Sequence, residues 1–171
     1  MNKVYLFARI LHVVTGAFWF GTVAFTATFL MPSMAEAGPD AGKVMVAMRR
    51  RHFFEIVPAI ASVTVLTGVW LYWRFTGGFS SEVMSSRGAI AFGSGGAIAI
   101  IALLIGVHVM RANSLKAMNT VGKAMGLPDG PDKAGMMKAA QAHRAKAFTA
   151  ARVVAFLLAT TAALMALGHY V

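Results

Sequence analysis

Residues 88–110 read GAIAFGSGGAIAIIALLIGVHVM, and His108 is the one ionisable side chain in the stretch. A helix needs about 20 apolar residues to cross the hydrocarbon core of a bilayer, and this run supplies them. No alternation of period two runs through it, so a strand does not fit. Three more runs of the same kind flank it, at about residues 4–31, 53–75 and 148–170. The first contains Arg9 and His12, and the fourth has Arg152 near its start. Each is too long and too poor in charge for an amphipathic helix of a soluble protein. The expected fold is all-α: an integral membrane, antiparallel four-helix bundle forming a single domain over residues 1–171.

Composition agrees. Hydrophobic residues make up 58% of the 171 residues and charged residues 13%, about half the charge of an ordinary soluble domain. There is no cysteine, which excludes disulfides, thiolate metal sites, iron–sulfur clusters and c-type haem attachment. The net charge is +10. The basic residues cluster beside apolar spans, so the expected partner is the anionic lipid headgroup of the bilayer; no nucleic acid is expected. The first run resembles a signal peptide, with Ala35-Glu36-Ala37 as a small-residue site, but its apolar stretch is too long. It is read as a true span.

Orientation follows the basic residues. One side carries both termini and the loop between the second and third runs, with Lys3, Arg9, Arg74 and Arg87. The other twelve of the 16 basic residues, Arg49, Arg50, Arg51, Lys116 and Lys123 among them, lie in segments 32–52 and 111–147 or next to them. Positive loops stay in the cytoplasm, so both termini are expected outside, in a bacterial inner membrane. The cytoplasmic segments have structure of their own. Residues 39–51 are expected to extend the second helix. Gly126 to Pro131 is a turn, and Asp132 to Lys146 is an Ala- and Lys-rich helix continuing into the fourth span.

Five histidines remain: His12, His52, His108, His143 and His169. Ionisable residues in spans are costly and usually face the bundle interior. His12 and His169 are placed to share an outer layer, and His108 and His52 an inner one. Paired histidines on facing helices are how a four-helix bundle binds b-type haem. Arg9 lies one turn outward of His12, and Arg111 one turn outward of His108, as propionate partners. Gly16 follows His12 on the same face and makes room for a flat ring. Leu104, Ile101, Ile100, Ala97 and Gly93 continue the face of His108. Against this stands the plain reading, in which span-end histidines bond to backbone or water. His143 is read as solvated. Ala89, Gly93 and Ala97 recur every four residues, which serves close helix packing or a cofactor. Trp70, Tyr72 and Trp73 form an interfacial belt, and Trp19 lies mid-span, against a cofactor or in core. Glu55 is read as paired with an arginine, with proton relay as the alternative.

Twelve methionines raise copper. Met31 with Met34, and Met45 with Met48 and His52, have helical spacing, and thioether with imidazole suits Cu(I). Methionine is equally a flexible apolar filler, so copper ranks below haem. No phosphate loop exists, since Gly93-Ser94-Gly95-Gly96 lies inside a span and lacks the following lysine.

Leu11-His12, Trp19-Phe20-Gly21 and Met31-Pro32 on the first run resemble the signature of small four-span bacterial proteins. These are the copper-resistance protein D family and the J-type protoporphyrinogen oxidases. Arg49 to His52 and Leu66-Thr67-Gly68 are similar to the copper-resistance pattern, and His108 with Arg111 to the oxidase pattern. The resemblance covers roughly residues 5–115. It implies a membrane-embedded haem b protein with one or two haems, His12 being the leading ligand. Where those oxidases carry a lysine near the start of the third span, this chain has Ser86-Arg87-Gly88, which departs from their activity. The expected function is electron transfer or membrane oxidoreductase chemistry, with a quinone, a porphyrin or a redox protein as partner and no catalytic residue assigned. Copper transport, or service as an accessory subunit or homo-oligomer, is the alternative.

Overall fold

A computed structural model describes residues 3–38 and 41–171. Among them there is no strand, and four helices are long and apolar enough to cross a membrane: α1 (Lys3–Glu36), α3 (Phe53–Phe75), α5 (Arg87–Ala124) and α6 (Pro131–Leu167). Two short helices lie between them, α2 (Ala41–Arg50) and α4 (Ser81–Met84). The result is the all-α architecture of a multi-pass membrane protein. Short connections make neighbours antiparallel. Helix α1 packs chiefly on α3, and α5 on α6. One end of the bundle holds the start of α1, the end of α6 and α4, and is here called the terminal side. The other end holds α2 and the hairpin between α5 and α6.

The packing is inside out relative to a soluble bundle. Large apolar side chains point outward, among them Phe7, Phe18, Phe25 and Phe29 of α1 and Phe156 of α6. The interior is built of small residues: Ala61, Ala89, Ala102 and Ala151 are at most 1% exposed. Lipid tails are as apolar as leucine, so close backbone approach rather than hydrophobic burial holds such helices together. Of the stripe Ala89, Gly93 and Ala97, the first two are used in this way, while Ala97 is exposed. Tyr72 of α3 fills the space beside Gly93, where an added Cβ would stand 2.9 Å from its hydroxyl oxygen.

Helix α5 has 38 residues and α6 has 37, each about 55 Å long at 1.5 Å per residue. The hydrocarbon core is about 30 Å thick, so the α5–α6 hairpin projects well beyond it. Here Lys and Ala replace the large apolar residues. The Ala- and Lys-rich segment runs into the fourth span without a break. The stalk is tied by polar contacts. His143 donates from Nδ1 to Oδ1 of Asn113 at 2.9 Å, and Arg49 of α2 donates to Asn119 at 3.2 Å. His143 is therefore half-buried and bonded rather than simply solvated. At the second-helix boundary, Arg51 and His52 form a turn in which His52 takes φ +56°. That left-handed residue separates α2 from α3, so the segment before the second span is a distinct amphipathic helix instead of an extension of α3.

Two turns of π-helix interrupt the long helices, at Thr26–Leu30 in α1 and Gly106–Arg111 in α5. A π-turn adds one residue and rotates everything after it. Side chains tie off the second one: Asn113 donates to the carbonyl of Val109 and Ser114 to that of Met110.

Candidate functional site

His12 sits on the α1 face that meets α3. Its Nδ1 lies 2.8 Å from the carbonyl oxygen of Thr64 and 3.3 Å from Oγ1 of Thr67. A carbonyl only accepts, so Nδ1 carries the hydrogen, and in the neutral imidazole the lone pair is on Nε2. Nε2 has no hydrogen-bond partner among the described residues. The imidazole lies over Gly68, where an added Cβ would stand 2.8 Å from Cε1. Only glycine leaves that space. One turn on, Thr64 donates to Thr15 across the interface at 2.9 Å, and Gly16 packs against the Thr64 methyl. His12, Thr15, Gly16, Thr64, Thr67 and Gly68 thus form one interhelical polar unit. Of these, sequence reasoning singled out His12 and Gly16. The Thr67-Gly68 pair was visible within Leu66-Thr67-Gly68 as a hydroxyl and a missing side chain at the level of His12.

Gly16 does not leave an empty slot, because Thr64 occupies it. Arg9, one turn toward the terminal side, is exposed. His169 stands against Phe92, with ring centroids 5.2 Å apart. Its neighbour Gly168 is held under the same ring, and Gly88 meets the Gly168 carbonyl. The contacts of Gly68 with His12 and of Gly93 with Tyr72 set the relative heights. They place His169 roughly 15 Å closer to the terminal surface than His12, at 1.5 Å per residue. The expected outer layer of His12 with His169 is therefore not formed within one chain.

Both members of the inner pair are exposed. His108 is exposed, as are Leu104, Ile101, Ile100 and Ala97. These four share the outward side of α5, whereas Gly93, grouped with them from the sequence, sits against Tyr72 of α3. The interior face of α5 is Ala89, Gly95, Ala99 and Ala102. At the last residue of the π-turn, Arg111 is turned inward. Its Nε donates to the carbonyl of Phe54 at 2.6 Å, and its terminal nitrogen lies 3.9 Å from Glu55. Phe54 needs that donor, because Pro58 stands four residues later inside α3 and has no N–H to give. Arg111 is thus a helix-to-helix tie. Glu55 is near an arginine, as the pairing reading has it. His52 is exposed in its turn, and its side chain makes no hydrogen bond among the described residues. No group of three or more His, Asp or Glu side chains converges as a metal site among the described residues.

Below His12, the interior opens into a cavity between α1, α3, α5 and α6. Trp19, Pro58, Ala61, Gly106, Arg111 and Val154 are among its walls. Trp19 is 4% exposed, and so belongs to the interior.

Tested for haem, the residues give a partial fit. His12 has the right chemistry: a fixed tautomer, a free Nε2 and a half-buried setting. The small residues once read as room for a ring are filled, and His108 faces outward. Comparison with known protein families, curated proteins and solved structures returns no match for this chain.

Proposed function

We propose that the chain is a membrane-embedded b-type haem protein, used in electron transfer or membrane oxidoreductase chemistry. One haem is ligated by Nε2 of His12. The observation that carries this is the bond from His12 Nδ1–H to the Thr64 carbonyl. Histidines that ligate metals almost always donate their other ring hydrogen to a carbonyl or carboxylate, which fixes the tautomer and raises the basicity of the ligating nitrogen. When bound, the haem supplies one-electron chemistry at iron. The chain does the rest. Thr64 and Thr67 orient the imidazole, Gly68 lets it lie close to α3, and Arg9 offers a cation one turn toward the terminal side. His108 and His169 are not co-ligands within the same chain in this reading, which narrows two haems to one. The positive residues of the α2 and α5–α6 side support a cytoplasmic location for that side, in a bacterial inner membrane.

The optical spectrum of detergent-purified protein expressed with added haem tests this. A single protein ligand gives a high-spin oxidised state that binds carbon monoxide on reduction. His12→Ala removes the colour and His108→Ala keeps it. A colourless wild-type protein overturns the haem reading and leaves an accessory or copper-handling membrane protein in its place. A low-spin spectrum indifferent to carbon monoxide overturns the single ligand. Cysteines at the exposed positions Lys123 and Ser81 report orientation: labelling of Lys123→Cys from outside intact cells reverses it.

A further inference from the structure

An outward groove between α1 and α6, on the hairpin side of the bundle, carries polar groups that neither His12 nor the packing uses. Ala27, Thr28 and Pro32 of α1 line it, with Phe148, Arg152 and Ala155 of α6. Its free volume is about 390 Å³, within the roughly 300–1,000 Å³ of small-molecule sites. The cavity beside Trp19, at about 40 Å³, has room for only a few waters.

Arg152 is the one lysine or arginine between residues 148 and 170. A charge at that place in a span is costly and ordinarily finds a partner. Arg152 is exposed and makes no hydrogen bond or ion pair among the described residues. Its guanidinium carbon lies 5.8 Å from the centre of the Phe148 ring. Phe148 is one turn nearer the hairpin, so the side chain is folded back toward that end of the bundle instead of into hydrocarbon. The ring sets the direction of the cation and leaves its N–H donors free. Thr28 is the second free donor. Thr15, Thr26, Thr64 and Thr67 each bond back to the carbonyl four residues earlier, the usual habit of a helical threonine. Thr28 is exposed, and its hydroxyl makes no hydrogen bond among the described residues.

The height of the groove selects the ligand. The contacts of Gly68 with His12 and of Gly16 with Thr64 set α1 against α3. Carried down the pair, they put Thr28 roughly level with His52, the residue that precedes α3. Helix α3 has 23 residues, about 35 Å at 1.5 Å per residue, which matches the hydrocarbon core of about 30 Å. Its first residue therefore stands at the headgroup boundary, and so does Thr28. One turn deeper, the lining changes to hydrocarbon. Phe156 follows Arg152 by four residues on the same face of α6 and is 72% exposed, and Ala155 lies beside it in the groove. Free donors at headgroup height above an apolar track match a phosphodiester with an acyl chain attached.

We propose that this groove holds one phospholipid, its phosphate oxygens taken by the Arg152 guanidinium and the Thr28 hydroxyl and an acyl chain lying along Ala155 and Phe156. Basic loops attract headgroups diffusely and need no site to do so; the groove adds a single stoichiometric one, and it stands without the haem reading. The test is native mass spectrometry of the full chain released from detergent micelles, with phosphatidylglycerol or phosphatidylethanolamine titrated in. One adduct of either lipid is expected first, since both carry the phosphodiester, and excess inorganic phosphate leaves it in place. Arg152→Leu lowers the affinity by about tenfold or more, the loss of a charge-assisted hydrogen bond, and Thr28→Val lowers it less. Removing two stalk charges together, Arg144→Gln with Lys146→Gln, leaves it unchanged. Circular dichroism first shows that the variants keep wild-type helix content; if Arg152→Leu does not, Thr28→Val carries the comparison. Wild-type affinity in folded Arg152→Leu or Thr28→Val overturns the site. An equal loss in the stalk double variant overturns it in favour of diffuse attraction, and displacement by inorganic phosphate overturns the lipid as the source of the phosphate. Absence of any lipid adduct, with an acidic protein that co-purifies with wild type and is lost from Arg152→Leu, gives the arginine to a protein partner instead. No arm reads haem, so a colourless protein that keeps its lipid separates the two readings.

Discussion

Gly68→Ala is the sharpest perturbation of the α1–α3 interface. The new methyl would stand 2.8 Å from Cε1 and 3.2 Å from Nδ1 of His12. The ring cannot swing away cheaply, because Nδ1 is tied to Thr64 at 2.8 Å. Overpacking of this kind costs about 1–3 kcal/mol. Loss of the hydrogen bond would cost about 0.5–1.5 kcal/mol, so the interface relaxes by whichever route is cheaper. Alanine regains up to about 1 kcal/mol of helix propensity over glycine. The balance is a net loss of up to about 2 kcal/mol, taking the overpacking cost less the propensity gain. Gly21→Ala is the control, since a Cβ there meets nothing within 4 Å, and it should be neutral or slightly stabilising. Reversible unfolding in mixed micelles measures both. The decisive arm is the double mutant with His12→Ala. With the imidazole gone, the added methyl meets no ring, and the cost of Gly68→Ala should vanish, a coupling that only contacting residues show. Equal stability of Gly68→Ala and Gly21→Ala, or an undiminished cost in the His12→Ala background, would refute the placement of His12 over Gly68.

Arg111→Leu should destabilise the bundle by about 1–3 kcal/mol, because it leaves the Phe54 carbonyl without a donor. Adding Pro58→Ala, which restores an N–H four residues on, should recover much of that loss in the same unfolding assay. At the tip of the hairpin, Asp129 has its carboxyl held below the ordinary value of 3.8, first by the hydrogen bond from Lys133 and then by that residue's charge. The stabilisation is therefore present above the unfolded value and lost as pH falls through the lower folded one. An NMR titration of Asp129 should show a midpoint below 3.8 that rises in Lys133→Ala.

Element identity was legible because each span is a long uncharged run, and the bilayer imposes helix on any such run. The break between α2 and α3 was not, since no glycine or proline stands between Arg49 and Phe53 to mark it. A histidine in the left-handed region does that work. The candidate site was legible in part for a related reason. A regular helix keeps residues three and four apart on one side, and the grouping of His108 with Leu104, Ile101 and Ala97 obeyed that rule. The rule gives a face but not its direction. In a soluble protein the more apolar face is the buried one, whereas against lipid both faces are apolar and the interior is marked by small residues instead. On α5 the interior belongs to Ala89, Gly95, Ala99 and Ala102, so the larger Ile100, Ile101 and Leu104 were the sign that His108 faces out.

The same reasoning explains why His12 and Arg111 are ionisable side chains bonded onto α3. Each answers a specific vacancy on α3. Gly68 lacks a side chain, which admits an imidazole close enough to reach the Thr64 carbonyl. Pro58 lacks an N–H, which leaves the Phe54 carbonyl for a guanidinium to take. Both vacancies lie on α3 and open toward a different neighbour, α1 for the first and α5 for the second. Helix α3 is thus the element that assigns polar chemistry to the interior. The imidazole ends with an unpaired Nε2 at one height, and Arg111 lines the inner cavity at another. Buried polar groups are ordinarily satisfied, and every buried side-chain nitrogen or oxygen among the described residues has a partner; the bonds to the Thr64 and Phe54 carbonyls are how α3 meets that demand for its two neighbours.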